Sequence, residues 1–170
     1  HNAGFDPNAM AGFFQKLADK YQFASTPPPM LLTHPLPTSR IAEARSRAQD
    51  YPAKTYPASL EFQLAKARIM VRFQQSGAVD LQRFFEQAAL AGGDWQADAA
   101  RYGQALALLQ VNEYDKARPL LDALASRHAN NIFILDALTD LDNAQDRFDS
   151  AIARLQRAQK QRPDNQVVII

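Results

Sequence analysis

The sequence predicts an all-α protein: an array of stacked helical hairpins, an α-solenoid, preceded by a helix-loop-helix segment. Three observations carry this expectation. First, a shift of 34 residues lays the stretch from Asp98 to Asn165 on itself. Glu113-Tyr114-Asp115-Lys116-Ala117 returns as Arg147-Phe148-Asp149-Ser150-Ala151, Leu121 falls on Leu155, Ala129 on Pro163 and Asn131 on Asn165. A period of this length belongs to a two-helix unit that buries its apolar face on neighbouring copies. Second, apolar residues elsewhere recur at helical spacing, as in Met10, Phe13, Phe14, Leu17 and Tyr21. Third, Pro and Gly clusters fall between these stretches, where helices must stop.

Taken in order, Asp6-Pro7 is a helix start, with Asp6 as N-cap and Pro7 at the first helical position. The helix runs to about Phe23 and ends before Pro27-Pro28-Pro29, because proline cannot continue it. Its wide apolar face, Phe13, Phe14 and Leu17 above all, needs cover, and homo-association through that face is one way to supply it. A loop with His34 beside Pro35 and Pro37 comes next, and Thr38 or Ser39 caps a second helix through Ile41, Ala44 and Ala48. Residues 1–50 form this first segment, and the Tyr-Pro steps of 51–58 are a linker. Residues 59–95 read as a degenerate first hairpin. Ser59 caps a helix with Leu60, Leu64, Ala67 and Val71 as its buried stripe, Asp80 caps the next, and Met70, Phe73, Phe84 and Phe85 are core. Gly92-Gly93 breaks the chain, with Trp95 packing beneath the first regular repeat. Regular repeats occupy 98–131 and 132–165, and 166–170 begin another. Their helices are expected near Gln96–Val111, Tyr114–Ser126, Phe133–Ala144 and Phe148–Gln161, with Asn112-Glu113 and Gln145-Asp146 as turns and Pro119 in a first turn. The second helices match well across the repeat; the first helices match poorly, Leu108 falling opposite Asp142.

Composition narrows the function classes. The 170 residues are 46% hydrophobic and 22% charged, ordinary for a folded chain. A formal net charge of +1 argues against a nucleic-acid binder, which concentrates Lys and Arg. No apolar run is long enough to span a membrane. Cysteine is absent, which excludes disulfides and thiolate metal sites. The chain begins at His1 without a signal peptide and ends on Val167-Val168-Ile169-Ile170, an apolar edge unsuited to a last cap, so the sequence is expected to be part of a longer protein.

The repeat, with an aromatic after each turn and a small Ala where the helices cross, resembles the tetratricopeptide repeat, TPR. A second resemblance lies upstream, in Gly4-Phe5-Asp6-Pro7-x-Ala9-Met10, Phe14-x-Lys16-Leu17 and Thr33-His34-Pro35-x-Pro37-x-Ser39-Arg40-Ile41. These residues look like the end of the catalytic domain in BepA-like zinc metallopeptidases, bacterial envelope proteins in which a His-Glu-x-x-His peptidase precedes TPR repeats. The resemblance implies a periplasmic chaperone and quality-control role in outer-membrane protein assembly. Its implied partners are unfolded or assembling outer-membrane proteins and their assembly machinery. Zinc is implied for the intact parent only. The three histidines here, His1, His34 and His128, include no pair at the spacing a catalytic zinc needs, so no residue is expected to be catalytic and no cofactor is expected in this chain. His34 alone is a candidate zinc ligand in the intact protein, its loop lying near the catalytic cleft in the resembling proteins.

Tandem helical repeats line a groove with their first helices. The resemblance places Ala99, Tyr102, Leu106 and Leu109 there from one repeat, with Phe133, Asp136, Asp140 and Asn143 from the next. TPR domains that clamp acidic tails need Lys, Arg and Asn on this surface. Asp and apolar groups suit an apolar, extended or basic polypeptide instead. The competing readings are an autonomous TPR adaptor with no enzymatic parent and a metal-binding or catalytic unit complete in itself; the latter ranks last, because His34 with any carboxylate has no supporting ligand spacing.

Overall fold

The structure is a computed structural model that describes residues 5–21, 37–52, 54, 59–73 and 77–161. Among these are eight helices and no strand. The chain divides into two units, residues 1–57 and 58–170.

The first unit is a helix pair, α1 (Ala9–Tyr21) on α2 (Pro37–Ala48). The Asp6 carboxylate accepts from the Asn8 N–H at 3.1 Å, satisfying one of the free amides at the start of α1. The expected wide apolar face is only partly buried. Ala11, Ile41 and Ala48 form the contact, Phe14 and Leu17 are half-buried, and Met10 and Phe13 stay mostly exposed. Two helices meet along a narrow stripe, and the small Ala11 sits on it. Phe14 carries the Arg40 guanidinium 5.5 Å from its ring centroid. His34, Tyr56, Pro57 and residues 162–170 lie outside the described residues.

The second unit holds α3 (Leu60–Phe73), α4 (Ala78–Ala91), α5 (Asp94–Gln110), α6 (Tyr114–Arg127), α7 (Ile132–Ala144) and α8 (Phe148–Gln161). The Ser59 hydroxyl caps α3 by accepting from the Phe62 N–H at 3.1 Å, and the Asn131 side chain caps α7 through Phe133. Asp80 lies inside the first turn of α4 and Gly77 takes the N-cap position, so the expected Asp80 cap is not formed. Pro119 sits beyond the first turn of α6, where it removes one backbone hydrogen bond.

Helix α5 is the hub, packing on α3, α4 and α6. Leu64, Ala67 and Val71 of α3 and Leu81 and Phe85 of α4 join Tyr102, Ala105, Leu121, Leu124, Leu138 and Leu141 in one core. The degenerate hairpin is built differently from the expectation. Helices α3 and α4 pack chiefly on α5 and little on each other, leaving a cleft of about 140 Å³ between them. Met70 and Phe85 reach the core, whereas Phe73 and Phe84 remain largely exposed, and so does Trp95. Gly103 explains part of this. Phe85 lies so close to it that an added Cβ would meet the ring at 2.5 Å, so α4 is drawn tightly onto α5.

Both regular hairpins turn in the same way. Asn112 and Asp146, one period apart, take left-handed backbone with φ of 60° and 56°. The Glu113 N–H bonds the Leu108 carbonyl at 3.0 Å and the Arg147 N–H the Asp142 carbonyl at 2.8 Å. These are paired Schellman caps, in which Asn and Asp tolerate the αL conformation better than larger side chains do. Ala117 and Ala151 are buried just after these turns, where only a small residue lets the helices cross closely.

Candidate functional site

Helices α3, α5 and α7 lie side by side, and the 34-residue shift extends back through all three. Arg68, Tyr102 and Asp136 occupy equivalent positions, and so do Arg72, Leu106 and Asp140 one turn later. Each triplet forms a rung across a groove with α5 as its floor.

The first rung is closed. An Arg68 guanidinium nitrogen lies 2.6 Å from an Asp136 carboxylate oxygen, both side chains being little more than a third exposed. Tyr102 lies beneath them, 0% exposed, with the Phe133 ring edge-on at 6.4 Å. Burial pushes the Tyr102 hydroxyl up to about 12, against the lowering influence of Arg68. Arg68 itself is raised: burial acts against its charge, but the hydrogen bond to Asp136 and the neighbouring acidic groups outweigh that. Among the sequence-predicted groove residues, Tyr102 and Ala99 are therefore not surface residues at all. Both are packed inside because three helices, not two, cover this part of α5.

The second rung is open. Arg72 and Asp140 are exposed and make no ion pair among the described residues. They line a cavity of about 360 Å³ with Arg68, Val71, Leu106, Leu109, Gln110, Tyr114 and Ala144. Although Asp140 lies at the rim, partial burial of its carboxyl raises it from its ordinary value, Asp136 adds to the rise, and Arg68 partly opposes it. Gln110 donates to the Val71 carbonyl at 3.0 Å and holds one edge of the cavity. Leu106, Leu109 and Asp140 thus meet around one cavity; Phe133 and Asp136 lie at the closed rung, and Asn143 is exposed on α7.

Sequence reasoning missed Arg68 and Arg72, which change the electrostatics from acidic and apolar to mixed. The signal was present: stepping one period back from Tyr102 and Leu106 lands on them. It also missed two buried carboxylates. Asp98 is held by Arg101, Arg127 and the Nε2 of His128, the last at 2.7 Å. Asp142, the residue that breaks the repeat opposite Leu108, is 1% exposed and holds Arg118 of α6 and Arg154 of α8 at 2.6 and 2.8 Å. Its carboxyl is held below the ordinary range: burial acts to raise it, and the two arginines outweigh burial. Both clusters tie neighbouring helices together.

Among the described residues no group of three or more His, Cys, Asp or Glu is placed to hold a metal. The donor set a zinc peptidase requires is not formed by them, and His34, the candidate ligand, lies outside them. No described helix is long and apolar enough to cross a membrane.

No family model matches the chain. Individual proteins do resemble it. A beta-barrel assembly-enhancing protease of Yersinia pestis is 40% identical over 166 residues, covering 98% of this chain and 34% of its own length. The beta-barrel assembly-enhancing protease of Escherichia coli strain K12 is 41% identical over 156 residues, covering 92% of this chain and 32% of its own. A putative beta-barrel assembly-enhancing protease of Vibrio cholerae is 44% identical over 139 residues, 82% of this chain and 29% of its own. The chain therefore spans about a third of the length of the curated relatives it matches.

Proposed function

We propose, on the premise that this chain is BepA-like over nearly its whole length, that it is a TPR-type scaffold that holds polypeptide for an envelope protease and chaperone. The relatives' name, beta-barrel assembly-enhancing protease, supports β-barrel proteins in assembly as partners. The outer membrane, the assembly machinery and the periplasm as the place of action follow from the resemblance of the first fifty residues and belong to this proposal. The sequence carries no His-Glu-x-x-His, so its own residues are assigned to binding and not to peptide cleavage. In an intact protein of this kind the peptidase chemistry would rest on zinc bound outside the described residues.

The observation that carries this reading is the open cavity between α3, α5 and α7. It combines an apolar floor of Val71, Leu106 and Leu109 with polar groups at its rim. Such a mixture suits a chain whose apolar side chains and unpaired backbone groups are both exposed. The test is site-specific photocrosslinking to an unfolded β-barrel outer-membrane protein. A photoreactive residue at Leu109 should capture it, and one at Glu86, on the exposed surface of α4, should not. Equal capture at both positions, or none at Leu109, overturns the reading.

A further inference from the structure

The two rungs differ in one respect that matters for binding. Across the first, a guanidinium and a carboxylate satisfy each other. Across the second, the same pair of groups, Arg72 on α3 and Asp140 on α7, faces one cavity without an ion pair between them. Arg72 contacts the Phe73 ring at 5.8 Å and makes no ion pair among the described residues. Asp140 lies at the rim, where partial burial and the neighbouring Asp136 raise its carboxyl and Arg68 partly opposes them, so a hydrogen-bond donor would stabilise its charged form. Between the two lies Leu106, with Leu109 and Val71 beside it.

An extended chain matches this arrangement. Its side chains project alternately up and down, while its carbonyls and N–H groups project sideways. Laid along α5, such a chain sends one side chain down toward Leu106. Its flanking backbone groups then point toward α3 on one side and α7 on the other. We propose that the Arg72–Leu106–Asp140 rung grips the main chain of an extended, apolar polypeptide. The Arg72 guanidinium donates to a peptide carbonyl, the Asp140 carboxylate accepts from a peptide N–H, and the cavity takes one large apolar side chain. This deepens the function proposed above and rests on it. Because the polar contacts go to backbone, the grip is indifferent to the charge of the bound sequence. Backbone groups that an unfolded chain leaves unpaired are what it reads, and a folded β-barrel has none to offer within its strands.

The test uses the full chain and a fluorescein-labelled, end-capped peptide, Thr-Val-Thr-Phe-Thr-Val-Thr, read by anisotropy. Saturable binding is expected. Arg72→Leu and Asp140→Leu should each weaken it roughly tenfold, in the range of a lost hydrogen bond to a charged group, and Leu106→Asp should weaken it further. N-methylation of the peptide on both sides of Phe removes the N–H that Asp140 accepts and leaves the carbonyl, so it should cost about as much as Asp140→Leu alone. Replacing the outer Thr residues by Glu or Lys should change affinity less than about threefold. Both rim residues are exposed, so circular dichroism of their variants should match that of the parent. Full affinity for the N-methylated peptide, or for the Arg72→Leu and Asp140→Leu variants, overturns the backbone grip. A strong preference for Glu or Lys flanks overturns it in favour of side-chain charge recognition. If Leu109 still crosslinks unfolded polypeptide while these variants bind normally, the grip alone falls. If the parent binds neither the peptide nor unfolded protein, the proposed function falls with it.

Discussion

Replacing Asp142 by Asn tests whether the residue that breaks the repeat holds it together. The substitution keeps the shape and removes the charge, leaving Arg118 and Arg154, each about a fifth exposed, without a counter-ion among the described residues. Breaking a buried pair by removing one partner costs roughly 3–5 kcal/mol. Water reaches both guanidinium groups and an Asn carbonyl can still accept one hydrogen bond, so the lower end, about 3 kcal/mol, applies. Out of a total of roughly 5–15 kcal/mol this is a large loss, equivalent to a fall in Tm of roughly 10 °C for a unit of this size. Urea unfolding at pH 7 followed by circular dichroism measures it. The pH dependence adds a second readout. The folded carboxyl titrates below its ordinary value of about 3.9. Its stabilisation is therefore complete above that pH and is lost as pH falls through the folded value. The difference between parent and variant should close in acid. Changing all three residues, Arg118→Met, Asp142→Leu and Arg154→Met, should restore most of the stability. A loss below about 1 kcal/mol at pH 7, or a difference that persists in strong acid, refutes the account.

The packing sets three further outcomes. Gly103→Ala should destabilise by roughly 1–2 kcal/mol in thermal unfolding. The gain in helix propensity, about 0.5–1 kcal/mol, is smaller than the cost of forcing a Cβ against the buried Phe85 ring; Phe85→Leu in the same chain should relieve it. The Tyr102 hydroxyl is buried with no hydrogen bond of good geometry among the described residues, so Tyr102→Phe should change stability by no more than about 1 kcal/mol in urea titration. Asn112→Gly should be neutral or slightly stabilising, while Asn112→Val should cost at least about 1 kcal/mol by the same titration, because a β-branched side chain is strained at a φ of 60°.

The sequence alone determined the all-α class and most helix boundaries. Regular spacing and turn residues are local signals: Tyr114 and Phe148 begin helices, and Asn112 and Asp146 turn them, as the 34-residue shift requires. Tertiary structure decided which of the apolar residues are covered. Phe85 and Phe84 are adjacent on one helix, yet only Phe85 finds Gly103, and Phe73 ends its helix largely exposed. It also decided the character of the groove. Tyr102 was legible as a groove position but lies beneath the ion pair of Arg68 and Asp136, residues far apart in the chain that meet only when α3 and α7 flank α5. Asp142 looked like a defect in the repeat until Arg118 and Arg154 were placed around it. A periodic pattern fixes which residues share a face. Whether a charge on that face is paired, buried or left open to a ligand depends on partners brought in from other helices, and no local pattern encodes them.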